Sequence, residues 1–168
     1  MDFDVKLIRR VQTNNAQDTE ELCGEFTREH LLSLPHSLLL LEGELGAGKT
    51  TFCRGFMRAL EIPENINSPT FNLLNEYEGA LGRFHHYDLY RLGSPEEAEE
   101  LGFVERWSTK SEEKEGSPLI QAVEWWSRAR PCFPTPVPAF YIEFDYNVDE
   151  DEPTRGVSIY HVVVRSGN

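Results

Sequence analysis

The stretch LEGELGAGKTTF, residues 41–52, decides how the rest of the chain is interpreted. Within it, GELGAGKT at 43–50 fits the G-x-x-x-x-G-K-[ST] pattern of loops that bind phosphate. Its glycines allow backbone angles closed to other residues, so the loop N–H groups can surround a polyphosphate. Four leucines at 38–41 precede it, which is typical of a short strand buried on both faces of a parallel sheet. The sequence therefore predicts a P-loop.

The residues that follow the loop predict a helix over 50–60. Large apolar residues recur at spacing four within it and would face the sheet. The N-terminus of this helix would direct its dipole toward bound phosphate. Lys49 is expected to reach the outer phosphates as a compact charge, and the Thr50 hydroxyl to bind a Mg²⁺ ion. A polyphosphate and Mg²⁺ are thus the expected ligands.

The composition of the chain narrows its expected partners and compartment. The 168 residues carry a formal net charge of −13, which disfavours nonspecific binding to nucleic acid or to an anionic membrane. The length predicts one domain, 1–168. Three cysteines without a C-x-x-C pair argue against a disulfide framework and a zinc site, and favour a reducing cytosol. No signal segment is evident and the four leucines are too short to span a bilayer, so a cytoplasmic protein is expected.

Periodicity and turn residues predict an α/β chain. Expected strands lie at 5–12, 38–41, 71–77, 83–87, 119–123, 139–146 and 157–165, and expected helices at 19–34, 50–60 and 94–101. The first helix is expected to begin at a capping box of Asp18 and Glu21. The charged segment 108–116 has no apolar residue and is expected to be a mobile surface loop. The predicted fold class is α/β, a three-layer P-loop NTPase fold with a mostly parallel central sheet and a C-terminal antiparallel hairpin.

Two acidic residues each end an apolar strand. Asp88 follows the strand at 83–87 and Glu124 the strand at 119–123, so both should lie at the same sheet edge as the phosphate loop. One of them could hold Mg²⁺ directly or through water, while the other orients a water molecule or senses the outer phosphate. The alternative for each is an ordinary carboxylate that pairs with a nearby base. Spacing does not distinguish the two acids.

Other polar residues near these motifs have a plainer interpretation. His85 and His86 are adjacent, so in a strand they would face opposite sides and could not both bind one metal ion. A structural role is therefore favoured for both. Cys53 on the predicted loop helix is interpreted as a small buried apolar residue.

The ordered motifs GELGAGKTT, NSPTF, HHYDLYR, ELGF and AVEWW closely resemble the TsaE family, also called YjeE. The resemblance is specific over 5–126 and looser over the terminal hairpin. It implies a small ATPase that works with the TsaB and TsaD proteins in making threonylcarbamoyladenosine at position 37 of tRNAs that read codons beginning with A. Hydrolysis supports turnover of that assembly, and contact with tRNA is expected only indirectly, through the assembly.

Carried over residue by residue, the resemblance also implies a set of site residues. Thr50 and Glu124 become the protein ligands of Mg²⁺. Asp88 matches an acid needed for activity, Thr70 a switch-like threonine near the γ-phosphate, and Arg155 a basic contact to the nucleotide. The residues implied to bind the ATP phosphates are Gly46, Ala47, Gly48, Lys49, Thr50 and Thr51.

Two other functions remain open at this point. One is a P-loop kinase acting on a small metabolite, with Lys49, Arg54 and Arg91 as phosphate contacts, although no arginine-rich lid segment is evident. The other is a nucleotide-sensing module in which Thr70 and Glu124 report the nucleotide state without useful hydrolysis. For the ATPase, the lack of an obvious arginine finger predicts slow hydrolysis by the chain alone and activation by partners. The sequence leaves the oligomeric state open.

Overall fold

The computed structural model describes residues 3–108, 117–133, 139–147 and 154–164, and a single sheet runs through these parts. Its strands are β1 (Phe3–Thr13), β2 (His36–Glu42), β3 (Leu74–Glu78), β4 (Arg83–Asp88), β5 (Leu119–Glu124), β6 (Ala139–Asn147) and β7 (Thr154–Val164). The helices are α1 (Ala16–Phe26) with a π-helical turn (Thr27–Leu31), α2 (Lys49–Arg54), α3 (Phe56–Ala59), α4 (Pro95–Glu100), α5 (Phe103–Ser108) and a 3₁₀ helix (Trp126–Cys132).

The seven strands lie in the order β1-β7-β6-β2-β5-β4-β3. The four central strands, β6, β2, β5 and β4, are parallel to one another. β3 adds antiparallel at one edge, and β7 and β1 add antiparallel at the other. The predicted fold class is confirmed, including the C-terminal hairpin, in which β6 pairs antiparallel with β7. β6 also borders β2, so the hairpin is part of the main sheet.

Strand β2 separates two hydrophobic cores. Its side chains alternate between the two faces of the sheet, as the period of a strand requires. Leu39 and Leu41 pack into one core with α1, α2 and α3, whereas Leu38 and Leu40 pack into the other with α4, α5 and the 3₁₀ helix. The run of leucines is therefore buried on both faces, and the helices form a layer on each side.

Helix α1 begins three residues earlier than the capping box of Asp18 and Glu21 predicts. Asn15 is its N-cap: the Asn15 side chain accepts from the Asp18 N–H at 2.8 Å. In return, the Asp18 carboxylate accepts from the Asn14 N–H at 3.0 Å. Asp18 is therefore the third residue of the helix, and Asn15 is its cap. The Asn15 side chain satisfies the backbone N–H of Asp18, which has no partner within the helix.

The predicted helix over 50–60 is interrupted at Gly55. A Cβ atom on Gly55 would lie 2.2 Å from the backbone oxygen of Glu20, because α1 passes directly against this residue. Gly55 keeps helical backbone angles, but its N–H donates to the Phe52 oxygen, three residues back, and the regular helix divides into α2 and α3. Helix α5 was not predicted, and it ends at Ser108; the rest of the predicted loop at 108–116 lies outside the described residues. Within the described ranges, no helix is both long and apolar enough to cross a membrane.

Candidate nucleotide site

Three strand ends meet at one edge of the sheet. β5 lies between β2 and β4, and in the parallel register Glu124 is opposite Leu41 on one side and Asp88 on the other. The chain leaves β2 just beyond Leu41 and enters the phosphate loop. Both predicted carboxylates are therefore at the same level as the start of the loop, as expected for the carboxyl edge of an α/β sheet.

The loop depends on glycine at particular positions. Gly43, Gly46 and Gly48 have φ angles of 155°, 81° and 112°, in a region that other residues rarely adopt. At Gly43 a side chain would also collide with the strand below, since a Cβ atom there would lie 2.8 Å from the Phe144 backbone oxygen. Gly48 is the N-cap of α2, so the loop leads directly into a helix N-terminus, where N–H groups point outward.

The Lys49 side chain folds back over the loop. Its ammonium group donates to the backbone oxygens of Gly43 and of Glu44, the latter at 2.9 Å. The same group lies 4.3 Å from the centre of the Trp125 ring. Burial lowers the pKa of Lys49, while nearby carboxylates, Glu124 foremost, act in the opposite direction. A cation is thus held beside the loop by neutral carbonyl groups and an aromatic face.

Thr50 and Glu124 form the central contact of the site. The Thr50 hydroxyl donates to Glu124 Oε1 at 2.7 Å, and His86 Nε2 lies 2.8 Å from the same oxygen. Glu124 and His86 are both buried. The hydroxyl of Thr50 and the carboxylate of Glu124 are hard oxygen donors of the kind that Mg²⁺ prefers, so this pair fits the metal that the sequence predicts.

His86 is the residue that sequence reasoning underestimated. Its structural role was inferred from its relation to His85, but the relevant neighbour is Glu124 on the next strand. A signal was present in the sequence: in β4, His86 is two residues before Asp88 and so shares its side of the sheet. The residue of β5 that His86 contacts depends on the strand register. That register pairs His86 with Ala122, which is two residues before Glu124 and on the same side of the sheet.

Asp88 has a different set of partners. Its Oδ2 atom accepts from the hydroxyls of Ser68 and Thr70, each at 2.9 Å. Its Oδ1 atom accepts from the backbone N–H of Tyr90 at 3.0 Å. Asp88 therefore anchors the Ser-Pro-Thr segment beside the site, whereas Glu124 contacts the threonine of the P-loop. The two acids that spacing could not distinguish are separated by their partners.

These residues surround a cavity of about 350 Å³ in front of the loop. It is lined by Leu45, Gly46, Gly48, Lys49, Thr50, Thr51, Ser68, Thr70, Asp88, Tyr90, Glu124 and Trp125. Ala47 does not line it, because its side chain packs in the core and its N–H donates to the Glu44 oxygen at 3.1 Å. Arg155 of β7 lies across the loop: a Cβ atom on Gly48 would be 3.4 Å from Arg155 Cδ. Nearly all the predicted site residues therefore converge here.

Comparison with known proteins identifies the family. The family model described as "Threonylcarbamoyl adenosine biosynthesis protein TsaE" matches residues 13–157. The chain belongs to the TsaE family. The matched range contains the P-loop, the Ser-Pro-Thr segment, both strand-end carboxylates and Arg155.

Individual relatives agree with this TsaE assignment. The tRNA threonylcarbamoyladenosine biosynthesis protein TsaE of Rickettsia felis is 47% identical over 55% of this chain and 53% of its own length. The TsaE protein of Aquifex aeolicus is 36% identical over 76% of this chain and 84% of its own length. The crystal structure of Bacillus subtilis YdiB superposes with a TM-score of 0.63 at 26% identity, covering 94% of this chain and 87% of that one. The match to the Rickettsia felis protein thus spans about half of that relative.

Proposed function

We propose that this chain is a Mg²⁺-dependent ATPase that acts with the TsaB and TsaD proteins in forming the threonylcarbamoyl group on adenosine 37 of tRNAs reading codons that begin with A. Membership of the TsaE family supports the pathway. Nucleotide hydrolysis is supported by one observation above all: the Thr50–Glu124 contact lies at the N-terminus of the helix that follows a glycine-rich loop. That arrangement presents oxygen donors and N–H groups to the same small space.

The donor groups of the site support the proposed binding of ATP and Mg²⁺. Loop N–H groups and the N-terminus of α2 would hold the phosphates, and Lys49 would exchange its bonds to carbonyl oxygens for bonds to phosphate oxygens. Thr50 and Glu124 would hold Mg²⁺, which when bound supplies positive charge that stabilises the transferred phosphoryl group. Arg155, lying across Gly48, would contribute a further positive charge to the nucleotide.

Asp88 would act through the Ser-Pro-Thr segment. Its carboxylate accepts from both hydroxyls of that segment and would keep Thr70 directed toward the outer phosphate. From this position Asp88 would also orient a water molecule for attack. We assign the metal to Glu124 and the water to Asp88, since only Glu124 bonds to Thr50 among the described contacts.

Dependence on partners is supported by the surface around the cavity. Leu45 and Phe71 are 78% and 83% exposed, which is high for large apolar side chains next to a site. Contact with TsaB and TsaD would cover them and would raise the rate of hydrolysis. With a net charge of −13, the chain would approach tRNA only as part of that assembly, and we propose that it does so in the cytoplasm.

The positions of two arginines disfavour a metabolite kinase. Arg91 lies over the Phe71 ring, 4.6 Å from its centre, and Arg54 lines a separate cavity between α1 and α3. Neither is among the described residues that line the loop cavity. The phosphate contacts that a kinase would need from these arginines therefore have no support in the structure.

The decisive experiment is ATP turnover by wild type, Lys49→Ala and Glu124→Ala, each with and without TsaB, TsaD and tRNA. We expect slow hydrolysis by the chain alone, acceleration by the partners, and loss of turnover in both variants. A wild type that binds no ATP with Mg²⁺, and that Lys49→Ala leaves unchanged, would refute the proposal. Binding of ATP by wild type without measurable turnover would instead favour the nucleotide sensor, and a phosphorylated acceptor would favour the kinase.

A further inference from the structure

Three potential metal ligands meet behind the P-loop threonine. Cys53 comes from α2, His86 from β4 and Glu124 from β5. Their ligand atoms, a thiol sulfur, an imidazole nitrogen and a carboxylate oxygen, all lie within 4.8 Å of one another. Cys53 and His86 are fully buried and Glu124 is 4% exposed. Cys53 has no part in the nucleotide site described above, so its presence in this group needs its own explanation.

The chemistry of the three donors differs from that of the Mg²⁺ ligands. Sulfur, imidazole nitrogen and carboxylate oxygen together match the preference of Zn²⁺, whereas Mg²⁺ takes oxygen donors. Zinc–ligand bonds of about 2.0–2.3 Å place donors roughly 3.5 Å apart, so shifts of about 1 Å would complete the site. Of the three residues, Glu124 lines the loop cavity, so an ion would reach the cluster past its carboxylate.

We propose that Cys53, His86 and Glu124 bind a thiophilic divalent ion of the Zn²⁺ class, and that this ion draws Glu124 away from Thr50. Glu124 would then serve one of two metals: Mg²⁺ with Thr50 on the nucleotide side, or Zn²⁺ with Cys53 and His86 on the core side. Because one carboxylate cannot fully serve both positions, zinc occupancy would inhibit the nucleotide site.

Cys53 and His86 can each supply a donor atom to zinc. When Cys53 binds zinc as the thiolate, its proton passes to solvent. His86 Nδ1 has no hydrogen-bond partner among the described residues. The imidazole can therefore carry its hydrogen on Nδ1 and offer Nε2 to the metal without breaking a second contact.

The proposed site is of a kind that the sequence argument against zinc did not address. The absence of a C-x-x-C pair argued against zinc, but that pattern detects only ligands that are close along the chain. Here the ligands come from three elements, and the β4–β5 register brings His86 and Glu124 together.

Metal binding by the full chain, without a polyhistidine tag, tests the proposal directly. Co²⁺ alone serves as the spectroscopic probe and Zn²⁺ alone as the competitor. Wild type should bind one Co²⁺ with a thiolate-to-metal absorption band that Zn²⁺ abolishes. Cys53→Ala should lose the band and bind Zn²⁺ at least about tenfold more weakly, as removal of a ligand predicts. His86→Gln should weaken binding while retaining Cys53.

Cys23→Ala is the matched control, because Cys23 is equally buried on the adjacent helix α1 but is not in the cluster. It should keep the band and the affinity, and circular dichroism should show that all variants are folded. A wild type without the band, or a Cys53→Ala variant that retains it, would overturn the proposal.

The inhibitory part rests on the proposed ATPase function and needs a second measurement. Micromolar Zn²⁺ should slow ATP turnover of wild type and of Cys23→Ala, and should have at least about tenfold less effect on Cys53→Ala. Zinc inhibition that is identical in Cys53→Ala would refute the competition. If no variant hydrolyses ATP, the proposed function fails, whereas the Co²⁺ band still decides whether the metal site exists.

Discussion

Thr50 and Glu124 are 74 positions apart in the sequence, yet the Thr50 hydroxyl donates to Glu124 Oε1 at 2.7 Å. Their contact follows from the parallel pairing of β2 with β5, in which Leu41 is opposite Glu124. The loop returns the chain to this edge, so that the first residues of α2 come back beside the end of β5. The pairing of the strands therefore places the Glu124 carboxylate beside the threonine of the P-loop.

Loss of the negative charge of Glu124 should reduce ATP turnover more than it reduces ATP binding. In Glu124→Gln the amide can still accept from Thr50, but the negative charge offered to Mg²⁺ is lost. We expect ATP hydrolysis to fall by about 10²-fold or more, as for other groups that stabilise developing charge, with a smaller loss of ATP affinity. Turnover and calorimetric binding measure the two effects. Glu143→Gln, on β6 and outside the lined cavity, should behave like wild type.

Asp88→Asn should loosen the Ser-Pro-Thr segment. Asparagine keeps one oxygen that can accept, but it loses the charge that strengthens the bonds from Ser68 and Thr70. We expect faster amide exchange at Asn72 and Leu73, whose N–H groups donate to the Pro69 oxygen, and lower turnover, with ATP affinity changed little. Ser68→Ala removes one of the two bonds, worth about 1 kcal/mol, and should give an intermediate exchange rate. Unchanged exchange in Asp88→Asn would contradict the anchoring role of Asp88.

Trp125 should report nucleotide binding through its fluorescence. The Lys49 ammonium lies 4.3 Å from its ring, and phosphates would draw that charge toward the loop. Addition of ATP and Mg²⁺ should therefore change the emission of wild type. Trp125→Phe should lose the change, whereas Trp126→Phe should retain it, because Trp126 packs in the core. A full response from Trp125→Phe would show that another tryptophan gives the signal and would contradict the reporting role of Trp125.

Two glycine substitutions should affect stability in opposite directions. In Gly55→Ala the new methyl group would lie 2.2 Å from the Glu20 backbone oxygen, so α1 and α2 must separate. We expect the free energy of unfolding to fall by about 3 kcal/mol. In Gly24→Ala the methyl meets only the flexible end of Arg28 at 3.3 Å, and helix propensity should add up to about 1 kcal/mol. Urea denaturation of the two variants measures both values.

Much of the fold could be predicted because its signals are local. The leucines of β2 and the apolar run of β5 predict buried parallel strands, and each strand that ends in an acid predicts a functional edge. The start of α1 was misplaced because Asn15 and Asp18 both have the chemistry of a cap, and only the chain entering the helix decides between them.

The finer roles within the site depend on contacts between distant segments. Glu124 and Asp88 have equivalent positions at their strand ends, and only the partners of each distinguish them. Cys53 is buried in the core, as predicted. His86 was interpreted from its neighbour His85, whereas its contact is with Glu124 on the next strand. Such contacts depend on the register of the strands and on where the helices pack, and a single sequence reveals neither.

Strand β2 has a consequence for the dynamics of the whole chain. Because Leu39 and Leu41 belong to one core and Leu38 and Leu40 to the other, neither helical layer can detach without exposing half of this strand. Opening of either layer therefore costs the burial of half of this strand, which couples the stability of the two layers. Native-state hydrogen exchange should find the β2 amides among the slowest in the protein. The phosphate loop thus begins directly from a strand that is buried on both faces.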